Sequence, residues 1–173
     1  MNAPIIPRVR TSVTDEELLA LILAQHRELF GEPPPERVAH LFAHLGVEHN
    51  AGADTSCPSG SRAGWNTYNF DFGNVRGIAG NAGAFVMTAG EIIEGHEVQV
   101  SGRWPAHTTA ADGMRAWLEL MSTRYARAWD APDPSAYVFA LKGAGYMTAS
   151  VAVYLPGFLT WVGVYRRTWP ERT

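Results

Sequence analysis

Cysteine is all but absent from this chain, with Cys57 the only one in 173 residues. A lone cysteine closes no internal disulfide and builds no cysteine-rich zinc site, so a hydrophobic core must hold the fold unaided. Lysine is equally scarce: Lys142 is the only one among 14 basic residues, and no basic run exceeds the pair Arg166-Arg167. With 17 acids and a net charge of -3 there is no positive stripe to track phosphates, which excludes nucleic acid as a natural partner. Also missing from the first residues, MNAPIIPRVRTS, is the charged start and apolar stretch of a secretory signal.

The 23 residues from Gly143 to Tyr165 carry no charge, and by length alone they could span a bilayer. Gly143, Gly145, Thr148, Ser150, Gly157, Thr160 and Gly163 dilute the stretch, and Pro156 would interrupt the backbone pairing that lipid makes obligatory. It reads as a buried core helix, with no stable membrane insertion. A chain of this length ordinarily buries one core, so one domain is expected.

Local signals divide the chain. Residues 1–12, with Pro4 and Pro7, read as an extended N-terminal arm, and residues 13–173 as the single domain. Thr14-Asp15-Glu16-Glu17 is a capping box and Gly31 a stop, predicting a helix from Asp15 to Phe30. A second helix starts near Pro35 and places Val38, Leu41, Phe42 and Leu45 on one inward face. Small, turn-forming residues from Asn50 to Gly64 read as a loop. Residues 83–88 and 96–100 read as two strands around a turn from Glu91 to Gly95. Thr109 and Asp112 cap a third helix carrying Met114, Trp117, Leu118, Met121 and Tyr125. Asp133 and Pro134 open a fourth, ending at Gly143 or Gly145. A last one runs from about Leu155 to Arg167. The fold class is therefore α+β, mainly helical, with about five helices and a small β-hairpin lobe.

Two constellations can carry chemistry. Glu48, at the end of the second helix and on the flank of its apolar face, is placed for partial desolvation. That raises a carboxyl pKa and keeps the proton available to a general acid, as in glycoside hydrolysis. The segment from Trp65 to Gly77 interleaves Trp65, Tyr68, Phe70 and Phe72 with Asn66, Asn69 and Asn74. It offers the aromatic faces and amides that sugar rings bind, and it equally fits an aromatic-rich core turn.

Taken in order, the helix ending in Glu48, the turn Tyr68-Asn69-Phe70-Asp71-Phe72-Gly73-Asn74-Val75-Arg76-Gly77, the segment Trp104–Gly113, Arg124-Tyr125 and Ala144-Gly145-Tyr146 resemble one family. It is the bacterial glucosaminidase domain of the flagellar muramidase and autolysin type, glycoside hydrolase family 73-like. The resemblance covers about residues 36–168. It implies a lysozyme-like fold and cleavage of a β-1,4 bond between the N-acetylglucosamine and N-acetylmuramic acid units of peptidoglycan, without a cofactor. It further implies that Glu48 is the acid, that Tyr68, Asn69, Phe70 and Asn74 form the sugar-binding floor, and that Tyr146 faces the same cleft. A second carboxylate is expected on the hairpin, where Glu91 and Glu94 stand, with Glu97 nearby. A separation of ~5 Å from Glu48 would make it a nucleophile and ~6.5–9.5 Å a base for water. If neither approaches, the substrate's own N-acetyl group can assist. The chain departs from the family at His49-Asn50-Ala51-Gly52, which leads into a longer loop. Delivery to the cell wall by a phage lysis or tail component or as a secretion-system effector both fit the missing signal.

Three rival readings stand beside this one. His40 and His44 have the i, i+4 spacing of zinc ligands with Glu48 on the same stripe, but the Glu that should follow the first histidine is Leu41. A solvated helix face accounts for both histidines. Cys57 lacks the context of a nucleophile. A glycan-binding module of the same fold without activity is the non-enzymatic alternative.

Overall fold

The computed structural model describes residues 3–50, 65–93 and 96–170. The loop expected over 50–64 lies outside the described residues apart from Asn50, and so do Cys57 and Glu94.

Helix α1 (Asp15–Phe30) begins at the capping box: Glu17 N–H donates to Thr14 Oγ1 at 3.1 Å, and Thr14 N–H donates to the Glu17 carboxylate at 2.7 Å. Helix α2 (Pro35–Asn50) departs from the single inward face expected of it, because every residue from Val38 to Gly46 is buried. Small residues at 39, 43 and 46 let neighbours approach on the remaining sides, so α2 runs through the middle of the helical core. His40 and His44, expected on a solvated face, are 2% and 0% exposed and pack against the Tyr137 ring at 5.2 and 5.7 Å.

Around α2 stand α3 (Ala110–Thr123), the single turn α4 (Ala126–Trp129), α5 (Pro134–Gly143) and α6 (Val151–Thr168). The described residues thus hold six helices rather than five. One turn is too short to show a period, which is why α4 went unanticipated. Thr109 with Asp112 caps α3, and Asp133 caps α5 by accepting from Ala136 N–H at 2.8 Å. Helix α6 starts at Val151, not Leu155, so Pro156 falls inside it rather than in its first turn. Pro156 and Ala152, whose carbonyl loses its helical partner, are both exposed, and Tyr154, Phe158, Val162 and Tyr165 form the buried stripe. No described helix is long and apolar enough to cross a membrane.

Two antiparallel pairs complete the fold: β1 (Arg10–Val13) with β2 (Trp65–Tyr68), and β3 (Gly83–Ile93) with β4 (His96–Ala106). The hairpin is longer than its hydrophobic alternation suggested, pairing Gly83 with Ala106 at its base and Ile93 with His96 near its tip. Glu91 therefore stands within β3 opposite Val98, not in a turn. Phe85, Trp104 and Ala106 make a small second core at the base of the hairpin, joined by Ile6 and Tyr68. The N-terminal segment is stitched along this base: Ile6 N–H donates to the Ala84 carbonyl and Ala84 N–H to the Pro4 carbonyl, both at 2.9 Å.

Candidate active site

Glu48 sits in the last turn of α2, where the central helix leaves the core, and its side chain is 17% exposed. A cavity of about 690 Å³ opens beside it, walled by the turn after β2, by Trp104 of the hairpin, by the ends of α3 and α5, and by the first turns of α6. Tyr154 Oη donates to Glu48 Oε1 at 2.9 Å, and the Asn74 side chain makes a second hydrogen bond to the carboxyl. Burial outweighs both and raises Glu48 from 4.5 to about 6. The Tyr154 hydroxyl, which burial holds well above its ordinary value, remains a donor throughout. His44 Nε2 stands 3.9 Å from Glu48 Oε1, but burial drops His44 to about 3, so this imidazole offers Glu48 no counter-charge. The result is a carboxyl that keeps its proton into the weakly acidic range and can transfer it to a leaving oxygen.

The turn that carries Asn74 is held from below. Asn74 has φ 47, and its N–H donates to Asp71 Oδ1 at 3.0 Å, an Asx-type closure three residues before Gly77. Asp71 is 5% exposed; burial, reinforced by the Glu48 charge, pushes its carboxyl well above the ordinary range despite the backbone N–H groups of Asn74 and Gly73. His49, held below its usual value by burial, bonds the Phe72 carbonyl through Nε2 at 2.7 Å and ties the turn to the end of α2. From the other side α3 presses directly on it: a Cβ on Gly113 would run into the Phe70 carbonyl oxygen. Tyr146 donates from Oη to the Gly73 carbonyl at 2.5 Å, its ring edge-on to His44 and Tyr125.

Glu48, Asn74 and Tyr146 therefore meet at one cleft. Tyr68, Asn69 and Phe70 do not line it. Tyr68 belongs to the small core under the hairpin, with the Arg8 guanidinium 4.7 Å over its ring. Asn69 is buried and clamps the N-terminal segment, accepting from Val9 N–H at 2.8 Å and donating to the Pro7 carbonyl at 3.1 Å. Phe70 packs against the main core. Positive φ at Asn69 (51) and Phe70 (55) curls the segment, so the extended stretch expected to put Phe70 and Phe72 on one face does not form. Phe72 is nonetheless buried in the main core. Glu91 stands in β3 and Glu94 lies outside the described residues.

Two contributors escaped the sequence reading. Asp71 could have been found from Asp-Phe-Gly-Asn, an Asx-turn pattern. Tyr154 could have been found as the hydroxyl-bearing member nearest the start of the stripe it shares with Phe158, Val162 and Tyr165. Among the described residues no three His, Cys, Asp or Glu side chains gather as a metal-holding group.

The chain matches no protein-family model and no curated protein. Its fold is that of solved peptidoglycan hydrolases. A peptidoglycan hydrolase mutant from Sphingomonas sp. A1 superposes with a TM-score of 0.61 at 16% identity, covering 88% of this chain and 99% of that one. The catalytic domain of the autolysin Auto from Listeria monocytogenes gives 0.59 at 14% identity, over 92% and 85%. The glycoside hydrolase domain of FlgJ from Salmonella typhimurium gives 0.54 at 15%, over 92% of each chain.

Proposed function

We propose that this chain hydrolyses the glycan of peptidoglycan, with Glu48 as general acid. The observation that carries the reading is a largely buried carboxyl, hydrogen-bonded by Tyr154 and lining the cleft, in a fold otherwise seen in peptidoglycan hydrolases. Glu48 gives its proton to the glycosidic oxygen as the bond from the anomeric carbon to that oxygen breaks, and water completes the exchange by adding hydroxyl to the carbon. Tyr154 and Asn74 hold the carboxyl in place, and Tyr146 shapes the cleft. The second catalytic group comes from the hairpin acids Glu91 or Glu94, or from the substrate's N-acetyl group. Incubating the protein with purified sacculi and weighing the released muropeptides tests this. The expected result is new reducing ends at one type of glycosidic bond, unchanged by a chelator and lost in Glu48→Gln. Release of peptides alone, or activity that vanishes on chelation and returns with zinc, would overturn it.

A further inference from the structure

Two arginines, Arg76 and Arg124, stand at the wall of the cleft, and neither takes part in the hydrogen bonds that hold Glu48. Arg76 follows the Asn74 turn. Arg124 ends α3, its guanidinium 5.4 Å from the ring of its neighbour Tyr125. Both are exposed, and among the described residues lining the cleft Glu48 is the sole acid.

Arg124 contrasts with the arginines that are ion-paired elsewhere in the molecule. Arg27, Arg37, Arg115 and Arg166 each hold a carboxylate oxygen within 3.1 Å. Arg124 has no such partner among the described residues, and it lines the cavity. Arg76 is seated by the hairpin. A Cβ at Gly102 of β4 would collide with its Cδ and Cγ, so the strand leaves out a side chain where the arginine stem passes, beside Trp104. The planar donor fork of a guanidinium takes a carboxylate in two parallel hydrogen bonds.

On the glycan reading of this cleft, on which the inference rests, N-acetylglucosamine offers these arginines no charge. Muramic acid does: its lactyl ether ends in a carboxyl, either free or extended by a peptide with carboxylates of its own. We propose that Arg76 and Arg124 form a carboxylate subsite that selects the muramic-acid-bearing strand over a neutral N-acetylglucosamine polymer.

Three soluble substrates test it: peptide-bearing glycan strands, strands stripped of peptide by an amidase, and a neutral N-acetylglucosamine hexamer. Wild type, Arg76→Gln and Arg124→Gln are compared for kcat/KM on each, with thermal melts alongside. Each substitution is expected to lower the preference for strand over hexamer by about tenfold, the scale of one lost charge-assisted hydrogen bond. Raising salt from about 50 to about 500 mM is expected to erode the wild-type preference in the same direction. Loss confined to stripped strands assigns the lactyl carboxylate, which is an uncharged amide wherever a peptide is attached. Loss confined to peptide-bearing strands assigns a carboxylate of the peptide, loss on both assigns a subsite that takes either, and each of the three supports the subsite. An unchanged preference overturns it, including the case in which Arg124→Gln lowers only the melting temperature, as a charge that merely complements the end of α3 would. If wild type cleaves none of the three, the hydrolase reading alone fails. The same ratio is then read from Kd by titration, where equal strand-to-hexamer ratios in wild type and variants sink the subsite.

Discussion

In the general-acid role proposed for Glu48, activity and stability pull in opposite directions. A carboxyl whose folded pKa is about 6 against an ordinary 4.5 binds its proton more tightly folded than unfolded. It therefore weakens the fold as pH rises through that window, by about 2 kcal/mol once both forms are ionised. Glu48→Gln keeps the shape and removes the charge. Turnover should fall on the order of 10²-fold to 10⁴-fold, while melts at pH 8 show a fold as stable as wild type or more so, and melts at pH 4 show no gain. A destabilised variant at pH 8 would mean that the ionised carboxylate holds structure. Asn74 tunes the same proton: its hydrogen bond to Glu48 favours the ionised form and opposes burial. Asn74→Gly keeps the left-handed backbone and deletes the amide, so the alkaline limb of the pH-rate profile should move to higher pH. A limb that stays put or moves down would show that Asn74 does not touch the acid during catalysis.

Among the elements, what was legible in the sequence was local. Thr14 with Glu17, Thr109 with Asp112, and Asp133 with Pro134 mark helix starts because each cap is satisfied within a single turn. The full burial of α2 was not legible, because it depends on α1, α5 and α6 closing around it. His40 and His44 read as a polar face until Tyr137 and Phe158 are brought in from more than ninety residues away. Of the residues assigned to the cleft, Glu48, Asn74 and Tyr146 do line it. The assignment of Tyr68, Asn69 and Phe70 to the cleft failed because nothing in the residue types announces a phenylalanine at positive φ. The turn is thus mostly scaffold, with Phe72 its anchor in the core. Phe72→Ala should lose roughly 3–5 kcal/mol in denaturant unfolding, as buried aromatic truncations do. A loss under about 1 kcal/mol would show that His49 and Gly113 hold the turn without it.

Over the whole molecule the histidines set the acid boundary. Burial lowers the pKa of His26, His40, His44, His49 and His107, with His44 down to about 3. Each takes up a proton near 6.5 when unfolded and resists it when folded, so each contributes stability that is complete above pH 6.5 and is lost as pH falls below it. Glu48 and Asp71 act in the opposite sense, since their raised carboxyls favour the fold at low pH, but they are two against five. The melting temperature should therefore fall between pH 7 and pH 5, and a flat or rising profile would show that the histidines titrate freely. The proposed general acid catalysis needs the proton on Glu48 and favours that same acidic side. The two limbs of the activity profile should then differ in kind. Above about pH 6 the rate declines while circular dichroism still reports a folded chain, because ionising Glu48 removes the transferable proton at a cost too small to unfold it. On the acid side the rate falls together with the folded fraction, because a core built around neutral imidazoles is being charged from within.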